Sequence, residues 1–188
     1  MKMPRRNLLK TAALSAGAMG LLGPHVSFAQ TAKPAGGKTK TAMRLGTVTY
    51  NLAKDWDIAT VLKNCEATRF EGVELRTTHA HGVEVNLTKA QREEVRKRFQ
   101  DSNVQLMGLG SAFDYHTPDQ AKLRRDMEAT KEYMVLAHDV GASGVKVRPN
   151  GLPREVPVEK TLEQIGRALR ELGEFGQGYG VEIRLEVH

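Results

Sequence analysis

From Met43 onward the apolar positions of the chain fall into two alternating rhythms, a short run with every second residue apolar and then a longer stretch with apolar residues three or four apart. Arg44 to Tyr50 reads as a first strand, and Trp56 to Thr68 as a helix with Ile58, Val61, Leu62 and Cys65 on one side. Phe70 to Leu75 is a second strand, followed by a helix from a Thr88 cap through Val95 and Phe99 to Asp101. Val104 to Leu109 is a third strand, and Pro118 to His138 is the longest helix, closed by Gly141. Gly144 to Arg148 is a fourth strand, and Pro157 to Gln177 is a helix with Leu162, Ile165, Leu169 and Leu172 at helical spacing. Val181 opens a fifth strand. The strand starts repeat at about 28 to 40 residues, the length of a βα unit, and strands that alternate with helices build a parallel sheet.

Alternation sorts the fifth strand into two faces. Glu182, Arg184, Glu186 and His188 share one face; Val181, Ile183, Leu185 and Val187 share the other, which is expected to pack on helices. Two architectures fit this pattern, an open doubly wound sheet and a (β/α)8 barrel. A nucleotide-binding doubly wound sheet needs a glycine-rich turn from strand to helix. Gly108-Leu109-Gly110 lacks the third glycine and an immediate helix, and Gly176-Gln177-Gly178-Tyr179-Gly180 precedes a strand. Both read as turn and cap glycines. Polar residues instead cluster after each strand: Tyr50 and Asn51; Glu74, Arg76, His79 and His81; Asp114 and His116; Lys146, Arg148 and Asn150; Glu186 and His188. That is the composition of a barrel mouth.

Charge divides at the same place as periodicity. Of the 28 Lys and Arg, seven fall in residues 1–42, where there is no acid; the remaining 21 face 22 Asp and Glu, so the body carries −1 where the whole chain carries +6. The basicity therefore gives no reason to expect nucleic acid or an anionic membrane as partner. Arg5-Arg6 ahead of the apolar run Thr11 to Leu22, with the small-x-small site Ser27-Phe28-Ala29, reads as a removable signal over 1–29. It resembles a twin-arginine export signal, which implies a periplasmic protein with no stable membrane association after cleavage. Residues 30–42 read as a flexible linker. Cys65 is the single cysteine, which excludes an internal disulfide and fits a place in the core.

Leu185-Glu186-Val187-His188, Gly72-Val73-Glu74-Leu75-Arg76 with its following histidines, and Gly144-Val145-Lys146-Val147-Arg148 together resemble the xylose isomerase-like barrels of sugar phosphate isomerases and epimerases. The resemblance implies one divalent cation held by a Glu that ends strand five, then by an Asp, a His and a Glu that end strands six to eight. Only the first maps here, onto Glu186, as metal ligand and catalytic carboxylate. Mn, Mg or Co are the expected ions for such oxygen-rich ligation, with Zn an alternative. By position, the resemblance puts Glu74, His116, Arg148 and His188 toward the sugar or sugar phosphate, and His79 and His81 are candidate additional metal ligands. Arg148 either orients a hydroxyl or phosphate or, with Pro149 behind it, pins the strand exit. His79 and His81 are otherwise solvated loop residues, and His138 near a helix C-terminus is assigned to the helix dipole.

A complete barrel takes about 250 residues. Residues 43–188 hold four βα units and a fifth strand, so the expected fold is an incomplete (β/α)8 TIM barrel, the N-terminal part of an enzyme and inactive alone. Its open edges favour self-association. The other function class left open is a non-catalytic module that binds sugar or assembles with a complementary half-barrel. A related barrel activity, repair of abasic DNA, needs more His and Asp ligands and a basic groove, and the near-neutral body argues against it.

Overall fold

Side chains and glycines fix where the helices begin and end, close to where the periodicity puts them. The computed structural model describes residues 43–187. The signal over 1–29, the linker over 30–42 and His188 lie outside the described residues. The first strand, β1 (Gly46–Val48), is shorter than the run from Arg44 to Tyr50, and Leu45 and Tyr50 are exposed. In α1 (Ile58–Thr68) the Asp57 carboxylate accepts from Thr60 N at 2.8 Å. Strand β2 (Gly72–Arg76) leads to α2 (Lys89–Gln100), where Thr88 and Gln91 form a reciprocal capping box. Strand β3 (Gln105–Gly110) leads to α3 (Gln120–Val140); Asp119 caps its start, and Gly141 at φ 84° closes it in a conformation that glycine adopts without penalty. Strand β4 (Gly144–Val147), α4 (Val158–Gln177) and β5 (Glu182–Leu185) complete the described elements.

All five strands are parallel and lie in the order β1-β2-β3-β4-β5. A doubly wound sheet reverses its order at a switch point; this one advances strand by strand, as a barrel does. The α/β reading with five parallel strands and four helices, a partial TIM barrel, is what the chain adopts. The core lies between the sheet's outer face and the helices. Val73, Leu75, Leu106, Leu109, Val145 and Val147 are buried there with Val61, Phe99, Met134, Leu136 and Leu172. Cys65 is in the same core, and burial pushes its thiol pKa up.

Three local expectations need correction. Gly108 and Gly110 are strand residues, not turn residues. A Cβ on Gly110 would sit 2.5 Å from Glu74 Oε1, and one on Gly108 would sit 3.2 Å from an Arg184 guanidinium nitrogen. These glycines make room for long charged side chains leaning across β3, which offsets the low strand propensity of glycine. The apolar face of β5 is covered only in part: Val181 is buried and Ile183 packs on the core, whereas Leu185 and Val187 are exposed. His138 does more than meet the helix dipole, because its Nδ1 hydrogen-bonds Tyr179 O at 2.8 Å and its ring meets the Tyr179 ring edge-on. It ties α3 to the turn before β5.

Candidate functional site

The concave face of the sheet carries the charged residues, and one β-bulge decides which. Between β2 and β3 the register runs Val73 to Leu106 and then Glu74 to Gly108, so Met107 is the extra residue. The bulge lets Leu106 and Leu109, three apart in sequence, both reach the buried outer face. Met107 turns to the concave side, where its sulfur lies over Gly46 and Gly72. Above it opens a cavity of about 790 Å³ lined by Tyr50, Glu74, Arg76, Met107, Lys146, Arg148, Arg184 and Glu186 among others.

At the centre of that cavity lies a carboxylate–ammonium–carboxylate group. Lys146 Nζ donates to Glu186 Oε2 and lies 3.8 Å from Glu74 Oε1. Lys146 is 12% exposed, Glu74 23% and Glu186 36%, so the carboxylate nearest the opening is Glu186. Burial, against the opposing pull of Lys146, holds the Glu74 carboxyl above its ordinary pKa, and the nearby Glu186 charge pushes the same way. Two residues earlier on β5, Arg184 donates to Met107 O at 2.6 Å and to Ser143 Oγ at 2.9 Å, and pairs with Glu182 at 3.0 Å. Gly144 admits it, since a Cβ there would meet Arg184 Nε at 2.6 Å.

The residues singled out from the sequence do not all converge. Glu74, Arg148 and Glu186 line the cavity; His79, His81 and His116 do not. His81 Nδ1 accepts from Val83 N at 3.0 Å, which leaves Nε2 as the protonated nitrogen donating to Arg76 O at 2.7 Å. Both ring nitrogens are thus committed to backbone, burial lowers the ring's pKa, and this neutral ring offers no lone pair to a cation. His79 Nδ1 shares a hydrogen bond of 3.0 Å with Thr49 Oγ1, and burial followed by the charges of Arg76 and Lys54 lowers its pKa. His116 Nδ1 accepts from Gly151 N at 3.1 Å, which fixes the loop after β4. His188 lies outside the described residues.

Lys146, Arg76 and Arg184 are the charged cavity residues to which the sequence assigns no site role. Alternation along Gly144-Val145-Lys146-Val147-Arg148 puts Lys146 on the same face as Arg148, and that signal was legible. Arg76 stacks on the Tyr50 ring, its guanidinium carbon 4.7 Å from the ring centroid.

As a metal site the cavity has the right donor type and too few donors. Glu186 and Glu74 offer carboxylate oxygens suited to a hard divalent ion. Among the described residues no group of three or more His, Cys, Asp or Glu side chains is placed to hold one. Nor is any helix among them long and apolar enough to cross a membrane.

Comparison with known proteins follows the sheet. In solved structures, the IolI protein with a bound zinc atom superposes with a TM-score of 0.67 at 18% identity, covering 77% of this chain and 51% of that one. D-psicose 3-epimerase in the presence of D-fructose gives 0.61 at 12%, covering 75% and 51%. L-ribulose 3-epimerase gives 0.59 at 19%, covering 76% and 48%. At these identities the likeness is one of fold, and the chain spans about half the length of the structures it matches. A search of curated proteins gave no match. The model of the xylose isomerase-like TIM barrel matches residues 62–188, and the chain belongs to that family.

Proposed function

We propose that the concave face is the first half of the active site of a metal-dependent sugar isomerase or epimerase that removes a proton next to a carbonyl. The observation that carries this reading is the position of Glu186, a partly exposed carboxylate at the C-terminal end of β5 and at the opening of a cavity large enough for a monosaccharide. The fold neighbours support it, since two of them are sugar 3-epimerases and one holds zinc. Glu186 would be the first ligand of the cation, with Glu74 the other carboxylate that lines the cavity among the described residues. A divalent cation held by Glu186 would supply positive charge for substrate oxygens. Glu186 is the carboxylate placed to take up the proton from the carbon beside the carbonyl, and the Lys146 ammonium, which donates to it, fixes its position. Glu74, held above its ordinary pKa chiefly by burial, lines the same cavity and is placed to hydrogen-bond a sugar hydroxyl. Arg184 stays with Met107 O and Ser143 Oγ as part of the floor.

One observation favours a second reading, a half-barrel that binds sugar without metal or pairs with a complementary half. Lys146 already sits on Glu186, and Leu45, Leu185 and Val187 expose apolar surface along the edge strands β1 and β5. Binding of a ketohexose measured with and without Mn2+ separates the two. The enzyme reading expects Mn2+-dependent sugar binding that Glu186→Gln removes, whereas the alternative expects binding indifferent to both.

The Arg5-Arg6 signal supports export by the twin-arginine route. Changing both to lysine is expected to leave the precursor in the cytoplasmic fraction, and normal recovery from the periplasm would contradict that route.

A further inference from the structure

The loop between β2 and α2 is held by a histidine with no place for a second proton. His81 is 7% exposed. Its Nδ1 accepts from Val83 N, in a residue that is fully buried, and its Nε2 donates to Arg76 O at the end of β2. A proton added at Nδ1 would point at the Val83 N–H, leave that donor without an acceptor, and put a charge in a nearly closed site. His79, whose ring centroid lies 6.1 Å from that of His81, differs. Its Nδ1 meets Thr49 Oγ1, a hydroxyl oxygen that accepts from Arg76 N at 2.9 Å and has a lone pair left for a second N–H. His79 keeps this bond whether neutral or protonated, so the sensitivity of the loop to acid lies in His81.

Among the described residues, the carboxylate whose charge acts on His81 is Glu84. Both of its oxygens are engaged elsewhere: Oε1 accepts from Thr78 N, and Oε2 from the Tyr133 hydroxyl on α3. Thr78 stands at φ 66°, a left-handed conformation that a β-branched residue adopts only where its surroundings impose it. Thr77 N donates to Gly110 O and Ala80 N to Lys54 O, so the backbone is tied on either side of it. The other charges around the loop are occupied with one another or with backbone. Lys54 pairs with Asp55, and Arg92 on α2 holds Asp139 and the carbonyls of Val85 and Leu87. Arg76 rests on Tyr50, and Glu132 lies near Tyr133.

We infer that residues 77–84 form an acid-sensitive clasp with two arrangements. In the neutral one, His81 holds Val83 N and Arg76 O while Glu84 holds Thr78 N and Tyr133. In the acid one, protonated His81 lets go of Val83 N and pairs with Glu84, which frees Tyr133 and lets Thr78 leave its left-handed conformation. The direction agrees with the ring's surroundings. Burial lowers the His81 pKa from 6.5, so the clasp is at full strength above 6.5 and is lost as pH falls through the lowered value. The Tyr133 hydroxyl, its pKa pushed up by burial and then by Glu84, stays a donor throughout. The loop leaves β2 at Arg76, which lines the cavity, so acid loosens one wall of that cavity. Neither the metal nor the sugar reading enters this inference.

The test is amide hydrogen exchange of the full chain, read by NMR as protection factors corrected for the intrinsic effect of pH, between about pH 7.5 and about pH 5. The expected result is that Thr78 and Val83 lose about ten-fold or more of their protection toward acid, while Leu75 on β2 and Val145 on β4 keep theirs. His81→Gln removes the titrating ring and should make the protection of Thr78 the same at both ends of the range. Tyr133→Phe weakens the neutral arrangement and should move the midpoint of the loss to higher pH; it decides the matter if His81→Gln does not fold. Unchanged protection of Thr78 and Val83 in the wild type overturns the inference. So does a loss that persists in His81→Gln, a loss shared equally by Leu75 and Val145, or a midpoint that Tyr133→Phe leaves in place.

Discussion

Gly176→Ala lowers stability by about 1–3 kcal/mol, toward the upper end because the obstacle is backbone. A Cβ at this position in the last turn of α4 would lie 2.3 Å from the carbonyl oxygen of Val181. That carbonyl belongs to the segment entering β5, and the same turn is held by Val181 N donating to Gly176 O at 3.0 Å. Neither partner can step back without moving the strand that carries Glu186. The contrast is Gly166 in the same helix, where an added Cβ meets nothing within 4 Å. There the change to alanine removes only the entropic penalty of glycine in a helix and is expected to stabilise by about 0.5–1 kcal/mol. Urea denaturation midpoints of the two variants should move in opposite directions. A Gly176→Ala protein as stable as the parent would show that α4 does not sit this closely on the start of β5.

Lys146→Met costs about 1–3 kcal/mol at neutral pH, below the range for a fully buried broken pair because Glu186 keeps a third of its surface in water. The ammonium is the positive charge next to both Glu74 and Glu186, and without it two carboxylates face each other in a partly desolvated cavity. The pH dependence follows from Glu74. Its folded pKa is raised, chiefly by burial, so the folded chain keeps a proton that the unfolded chain has released. Stability from this group is full below the ordinary carboxylate value of 4.5 and is lost as pH rises through the raised one. Removing Lys146 takes away the largest influence holding that pKa down, moves the window to higher pH and deepens the fall. Adding Glu74→Gln to Lys146→Met abolishes the deepened fall. Denaturation of both variants on either side of the window measures the effect, and a pH profile unchanged by Lys146→Met would contradict the pairing.

Most of the fold can be read from the residues because the residues that set it act locally. Thr88 with Gln91, and Gly141 in the left-handed conformation, mark helix ends without help from the rest of the chain. Val73, Leu75, Val145 and Val147 alternate as strand residues should, and that alternation puts Glu74, Lys146 and Arg148 on the opposite face. What escaped depends on neighbours across the sheet. Gly108 and Gly110 resemble turn glycines until Glu74 and Arg184 are seen leaning over them. The bulge at Met107 leaves only the spacing of Leu106 and Leu109 as its trace. His79 and His81 are two apart in a loop, a spacing that suggests a metal grip, but Val83 N and Arg76 O take both nitrogens of His81. Lys146 was visible as a polar residue after a strand, yet nothing in one strand's sequence says that its ammonium will bridge carboxylates from two others.

The role given to Glu186 is tested most directly by titrating the chain with Mn2+, followed by electron paramagnetic resonance, and then adding a ketohexose. Wild type should bind the ion, Glu186→Gln should weaken binding at least ten-fold, and Lys146→Met should strengthen it, because the ammonium competes for the same carboxylate. The sugar should change the spectrum of the bound ion. Equal Mn2+ affinity in wild type and Glu186→Gln, with both proteins folded, would contradict Glu186 as the metal-bearing carboxylate of this barrel.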